Sequence, residues 1–261
     1  MENHKRSPKF GRQWRKSEMD DYNIKIQFQD ATTFFNTPVL PPPNVDEELL
    51  TTEYDTDTIA HKNSFILTQL DYAMEREDPE SAESSISIFA IFLFDALGYA
   101  HRPHLTRLLR RLKILICGEY KDAKTNVCII DRSRDDEGLL VQECRHIGAK
   151  RDPYPQVVAT AIAAFQTNNS RRIASGLDPL ENEIIPAVIM IGSSPTFLKV
   201  PVTAELSRCV QSGLYPTTPT VIFAHEPEIP RPAQRRAEGM RPLDNRYIIF
   251  QCYEAFKQFV H

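Results

Sequence analysis

Residues 126–145 read NVCIIDRSRDDEGLLVQECR, two apolar runs on either side of a charged break that ends in glycine. NVCIID (126–131) and LLVQECR (139–145) have the length and composition of strands. Asp135, Asp136 and Glu137 in the break are the solvated charges expected at a hairpin tip. Strand side chains alternate, so Leu139, Val141, Glu143 and Arg145 share one side of the second run. Asn126, Cys128 and Ile130 share a side of the first. With residues 132–137 as the loop, Asp131 falls opposite Gly138, and counting back sets Asn126 opposite Glu143. An amide, a carboxylate and a guanidinium are therefore expected together at the open end of the hairpin. The plainer reading of Glu143 and Arg145 is two polar residues on an exposed strand face.

Upstream, Phe65, Leu67, Leu70 and Met74 recur at helical spacing. Asp78-Pro79 reads as a cap and first turn of a second helix running to about Tyr99, apolar enough in its second half to be buried. LKILIC (112–117) is a predicted strand. Downstream, Asp152-Pro153 opens a helix with Val157, Val158, Ala161, Ile162 and Phe165 on one side, ending near Asn168-Asn169. Ile184–Ile191 and Thr196–Val202 read as strands joined through Gly192–Pro195, a turn without the glycine run and lysine of a phosphate loop. Thr203 can cap a short helix that Gly213 stops. A proline-rich, basic segment with Arg231, Arg235, Arg236 and Arg241 leads to a last helix. That helix carries Ile249, Cys252, Tyr253, Phe256 and Val260 on one face, which must pack on the core or on a partner. The class is mixed α/β, a sheet faced by helices, with a core at residues 61–212 and a C-terminal extension at 213–261.

Residues 1–60 read as a flexible arm, with Phe28, Phe34 and Phe35 able to dock. Lys5, Arg6, Lys9, Arg12, Arg15 and Lys16 make its start basic; Pro38 and Pro41–Pro43 precede an acidic run at 46–57. The basic stretch leaves nuclear import, phosphate binding and simple solvation open. A net charge of −4 and a pI near 6.0 give the whole chain no pull toward nucleic acid or membrane. The most apolar stretch, Ile86–Leu97, is too short to span a bilayer, so no membrane partner is expected. The five cysteines are odd in number and lack metal spacing, and no apolar leader precedes the arm. Buried thiols in a reducing, intracellular compartment follow, nucleus or cytoplasm being open. His101-x-x-His104 is interrupted by Pro103 and has no acid beside it, and His146 faces away from Arg145; both read as incidental.

The run CGEYKDAKTNVCIIDRSRDDEGLLVQECRH (117–146), followed by DPYPQVVATAIAAFQTNN (152–169), resembles a family of basidiomycete fungal proteins with a PD-(D/E)XK nuclease-like fold. IGSSPTFLKVPVTAEL (191–206) and EGMRPLDNRYIIFQCYEAFKQF (238–259) are similar to the same family, so the likeness covers roughly 61–261. It implies a restriction-endonuclease-like core and metal-assisted phosphodiester hydrolysis, in which acids hold Mg²⁺ and a lysine positions water. The family's first acid falls on Asn126, its second on Glu143, and its lysine on Arg145. Asn126 offers a metal no charge, and an arginine cannot accept a proton, so the implied metal ligands, Glu143 and Asn126, form a weakened set. Glu83 on the preceding helix and Gln156 on the following one, with Thr160 one turn on, are further candidates; no organic cofactor is implied. The expectation is a degenerate Mg²⁺-dependent phosphodiesterase acting on or binding nucleic acid. The alternative is a non-catalytic interaction module in which the C-terminal helix and the arm take protein partners.

Overall fold

The computed structural model describes residues 6–75, 79–133, 136–145 and 151–260; the side chains of 79–80 and 136–145 lie outside that description. In chain order come α1 (Lys16–Asp21), β1 (Ile24–Phe28), α2 (Ala31–Phe35), α3 (Glu48–Thr51), α4 (His61–Met74), α5 (Pro79–Ala96), β2 (His104–Ile116), β3 (Glu119–Asp131) and β4 (Asp136–Arg145). There follow α6 (Tyr154–Ala174), β5 (Asn182–Ile191), β6 (Ser194–Thr203), α7 (Ala204–Ser212), β7 (Thr220–His225), α8 (Arg235–Glu238) and α9 (Leu243–Phe256). The sheet has seven strands in the order β1-β7-β6-β5-β4-β3-β2. β1 with β7 and β4 with β5 are parallel; the other neighbours are antiparallel. This is a mixed α/β fold with helices on both faces.

Alternation along β5 shows why the sheet is buried twice. Val188 and Met190 enter one apolar cluster, with Phe89 and Phe94 of α5 and Phe250 and Phe256 of α9. Ala187 and Ile189 enter the other, with Val158, Ile162 and Phe165 of α6. A strand covered on both faces needs a near-continuous apolar run, and IIPAVIMI supplies one. β2 and β3 are joined by Cys117-Gly118, both at positive φ (50° and 80°), the backbone that a two-residue hairpin turn requires.

Three expectations are corrected. The first is the arm. β1 forms an edge of the sheet, paired with β7 from Ile24↔Thr220 to Phe28↔Ala224. Trp14, Tyr22, Phe34, Phe35 and Leu49 are all within 1% of complete burial. Single aromatic anchors spaced among charges do the packing, so no helical or strand period announces it. The second is α9. Ile249, Cys252, Tyr253 and Phe256 are buried in this chain's own core, so that face is unavailable to a partner. The third is strand extent: β2 and β3 begin earlier than the apolar runs suggest, and β7 is an additional strand within the C-terminal extension. Asp78, the expected cap of α5, lies outside the described residues, as do Asp135 and His146.

Candidate functional site

The ladder between β3 and β4 runs from Asp131↔Asp136 to Val127↔Val141 and goes no further. β3 continues past this point against β2 alone, from Arg110↔Thr125 to Ile116↔Glu119. β4 continues against β5 alone, through Gln142↔Ile189, Cys144↔Met190 and Arg145↔Ile191. Two central strands therefore part company, and a fork opens in the middle of the sheet. Asn126 stands on one prong and residues 142–145 form the other.

Both prongs are irregular at the fork. On β4 the register against β5 shifts between Gln142 and Cys144, leaving Glu143 as the extra residue of a bulge. On β3, Ala123 and Val127 should share a side, yet they belong to opposite apolar clusters. Alternation slips between them, and across the ladder from Asn126 the backbone of Leu109 sits at φ 49°. Bulges and slips of this kind re-aim side chains.

This geometry corrects two details of the expected hairpin. Ile129 pairs with Leu139 but Ile130 with Glu137, so Gly138 is absorbed in an irregularity and the loop is shorter. Continuing the observed register sets Asn126 level with Gln142, one residue from the expected partner Glu143. Asn126 also does not share a side with Cys128. Its Nδ2 donates to Ser87 Oγ of α5 at 3.5 Å, whereas Cys128 packs on the α6 side. The Ser87 hydroxyl in turn donates to the Glu83 carbonyl at 2.7 Å. Asn126 and Ser87 thus meet under the fork, and the half-buried Glu83 stands one turn earlier on α5. The side chains of Glu143 and Arg145 lie outside the described ones; their backbone stands on the β4 prong, Glu143 at the bulge and Arg145 at the strand's end.

Gln156 approaches from the other face of the sheet. It is half-buried in the first turns of α6, and the Thr160 hydroxyl beyond it reaches Gln156 O (3.0 Å) and Lys124 O on β3 (3.4 Å). The basic N-terminal segment crosses the same place. A Cβ on Gly11 would stand 3.0 Å from Ala123 Cβ of β3 and 3.6 Å from Ala159 Cβ of α6, so only glycine lets the chain lie so close. Arg12, Arg15 and Lys16 are consequently held exposed beside the fork, and Arg151 donates to the Arg12 carbonyl.

Where β4 ends, next to Ile191, lies a cavity of about 280 Å³ floored by Ile189 and Ile191. Its polar wall is Tyr154, Ser194, Thr196, Glu226, Arg235 and Arg236. Arg235 donates from Nε to Ser194 Oγ (3.0 Å) and from Nη2 to Thr196 Oγ1 (3.3 Å), and pairs with Glu226 Oε2 at 2.5 Å. Burial lowers its pKa, and Glu226 opposes that shift. Burial, then the neighbouring Glu226, pushes the Tyr154 hydroxyl up to about 12, so it remains a donor at neutral pH. Arg236 has no ion pair or hydrogen bond among the described residues. Such a wall can hold an anion. The basic pair was visible in the sequence; Tyr154 and Glu226 were not, because they are far apart in sequence and meet at this cavity only in the fold.

Among the described residues, no group of three His, Cys, Asp or Glu side chains could hold a metal ion. The thiol–imidazole contact between Cys252 Sγ and His225 Nε2, at 3.8 Å, is not an activated nucleophile. Burial pushes the thiol up to about 12 and pulls His225 below its ordinary 6.5, so both are neutral. No helix among the described residues is long and apolar enough to cross a membrane. Compared with known proteins, the sequence matches no family model, and no curated protein is significantly similar to it.

Proposed function

We propose that this chain is a PD-(D/E)XK-type nuclease-fold protein whose forked sheet binds the phosphodiester backbone of nucleic acid, with metal-dependent cleavage weakened. The observation that carries the reading is the fork itself. It falls within the succession α5-β2-β3-β4-α6-β5, with Asn126 on one prong and the Glu143 bulge on the other. Parting strands expose backbone and side chains in the middle of a sheet, where a phosphate can approach. Glu143 is then the acid facing the phosphate, Arg145 a forked phosphate contact, and Asn126 a neutral oxygen ligand. Glu83, one turn before Ser87 on α5, is the acid proposed to restore negative charge, and Gln156 lines the far wall. Exposed Arg12, Arg15 and Lys16 give a polyanion its approach.

The oxygen donors at the fork suit Mg²⁺ in kind, since hard cations take carboxylate and amide oxygens. They fall short in charge, because the amide stands where an acid would be. When bound, the ion would polarise the phosphate and lower the pKa of a water. Arg145 can offset charge on the phosphate, but it cannot take a proton from that water.

Labelled single- and double-stranded DNA and RNA, with Mg²⁺ or Mn²⁺, test the reading. The expected outcome is salt-sensitive binding that weakens in Glu143→Ala, with little or no cleavage. The double change Asn126→Asp with Arg145→Lys is expected to raise cleavage at least about 10²-fold, the low end of what a positioned proton-transfer group contributes. If the unchanged chain binds no nucleic acid and the double variant neither binds metal nor cuts, a scaffold that only holds proteins is the better description.

A further inference from the structure

The outer edge of the sheet is β2, bonded to β3 on one side only. The tight turn closes on the Ile116↔Glu119 pair, so alternate peptide groups of β2 point toward β3 and the rest point outward. The outward set includes Leu115, Lys113 and Arg111. At Leu115 the outward N–H donates to Gln166 Oε1 (2.8 Å), and its carbonyl accepts from Gln166 Nε2 (3.3 Å). A side-chain amide of α6 thus occupies the position that the backbone of a neighbouring strand would take. At Lys113 and Arg111 no hydrogen bond among the described residues uses the outward groups. Between Gln166 and the positive-φ break at Leu109, a short stretch of backbone is left open for pairing.

That stretch borders a cleft of about 670 Å³ between β2, the second half of α6 and α7. Phe165 and Leu180 supply apolar surface, and the exposed Tyr120 and Ile173 extend it. The rim carries Arg110, Arg111, Lys113, Arg171 and Arg208 against Glu181 within the cleft and Asp122, which pairs with Lys113 at 2.6 Å and with Arg111 at 3.8 Å. Long open edges are normally blunted by charge. Here the basic side chains outnumber the acidic ones, and the net positive charge repels a second copy of β2 and attracts an acidic strand.

We infer that β2 accepts an extended acidic segment of another protein as an eighth strand. Its backbone pairs with the open groups of Arg111 and Lys113. Its alternate carboxylates meet the arginine rim, and its intervening apolar side chains lie on Phe165, Leu180 and Ile173. Nucleic acid fits this edge less well, because outward carbonyls would face phosphate oxygens.

The test uses the full chain and a fluorescent peptide of alternating glutamate and valine, about eight residues long, with a lysine–valine peptide and a single-stranded oligonucleotide of equal charge for comparison. The glutamate peptide is expected to bind in a salt-dependent manner and to slow amide exchange at residues 111 and 113. Lys113→Pro removes an outward N–H that β3 does not use, and is expected to weaken binding at least about tenfold with the melting temperature little changed. Arg171→Glu with Arg208→Glu is expected to weaken it without touching the backbone, which serves if the proline variant misfolds. The idea fails if the peptide does not bind, or if residues 111 and 113 exchange as fast with it as without. It also fails if a folded Lys113→Pro binds as well, or if the oligonucleotide gives the same protection.

Discussion

At the scale of single residues, Arg246 shows how a charge can be buried on backbone carbonyls, with no ion pair among the described residues and only the more distant Asp71 and Glu53 to favour it. Its Nε donates to Met240 O, Nη1 to Leu49 O and Thr52 O, and Nη2 to Arg241 O. Burial pulls its pKa down to about 10, still well above neutrality. These carbonyls tie α3 to the start of α9, so Arg246→Ala leaves several buried acceptors unpaired. A loss of about 3 kcal/mol or more in denaturant unfolding is expected, and a loss below about 1 kcal/mol would refute the account. His225 gives a pH signature. Its Nδ1 meets the Gln29 carbonyl, an acceptor, so that nitrogen carries the proton; burial then disfavours a second one and lowers the pKa from 6.5. Below pH 6.5 the unfolded chain takes up a proton that the folded chain refuses, so stability falls as pH drops through that value toward the depressed pKa. Melting temperatures between about pH 7.5 and 5 should decline less steeply in His225→Gln. Asn126 could be singled out from the sequence as an amide in place of an acid. Its orientation could not, since strand alternation gives no warning of the slip that turns it toward Ser87.

Elements are legible in the sequence wherever a face is uniformly apolar. α5, β5 and β6 stand close to where the apolar pattern puts them, because a buried face imposes a period on the sequence; α6 begins as expected but runs past Asn168-Asn169 to Ala174. The first half of β2, LTRLLRR, lacks a period of two because Arg107, Leu108 and Leu109 are all exposed at the edge. β7, TVIFAH, is a short run between prolines, and nothing local distinguishes it from a loop. The joints between elements are also testable. Gly239 sits at φ 53° and ψ −129°, and a Cβ there would lie 2.2 Å from Ser193 Oγ and 2.9 Å from Met74 Sδ. That serine hydroxyl accepts from Met240 N at 2.9 Å and lies 3.0 Å from the Met74 sulfur, joining the β5–β6 turn to α4 and α9. Gly239→Ala should therefore cost about 1–3 kcal/mol, read as a lower denaturant midpoint with an unchanged slope.

For the whole molecule, the N-terminal residues are part of the fold. Arg6 donates to the Gly213 carbonyl at 2.7 Å and stands over the Tyr22 ring, while Trp14 stacks on Tyr22 with centroids 5.5 Å apart. Deleting residues 1–23 removes Trp14, Met19 and Tyr22 from the α6-side cluster and strips the cover from Ala123 and Ala159. The shortened chain should melt at a clearly lower temperature and bind an apolar dye; an unchanged melt would mean that the segment only rests on the surface. Composition hides this docking, because a few aromatic anchors among many charges look alike whether packed or loose.

The parallel pairing of β1 with β7 has one more consequence. Residue 24 meets its partner only at residue 220, so nearly two hundred residues must be made between them before that contact can form. During synthesis the opening strand waits beside the growing domain with its hydrogen-bonding groups unspent, and the border of the sheet is sealed late. Maturation should accordingly be limited by the arrival of residues 220–224, and a ribosome stalled short of them would carry a β1 that has nowhere to go.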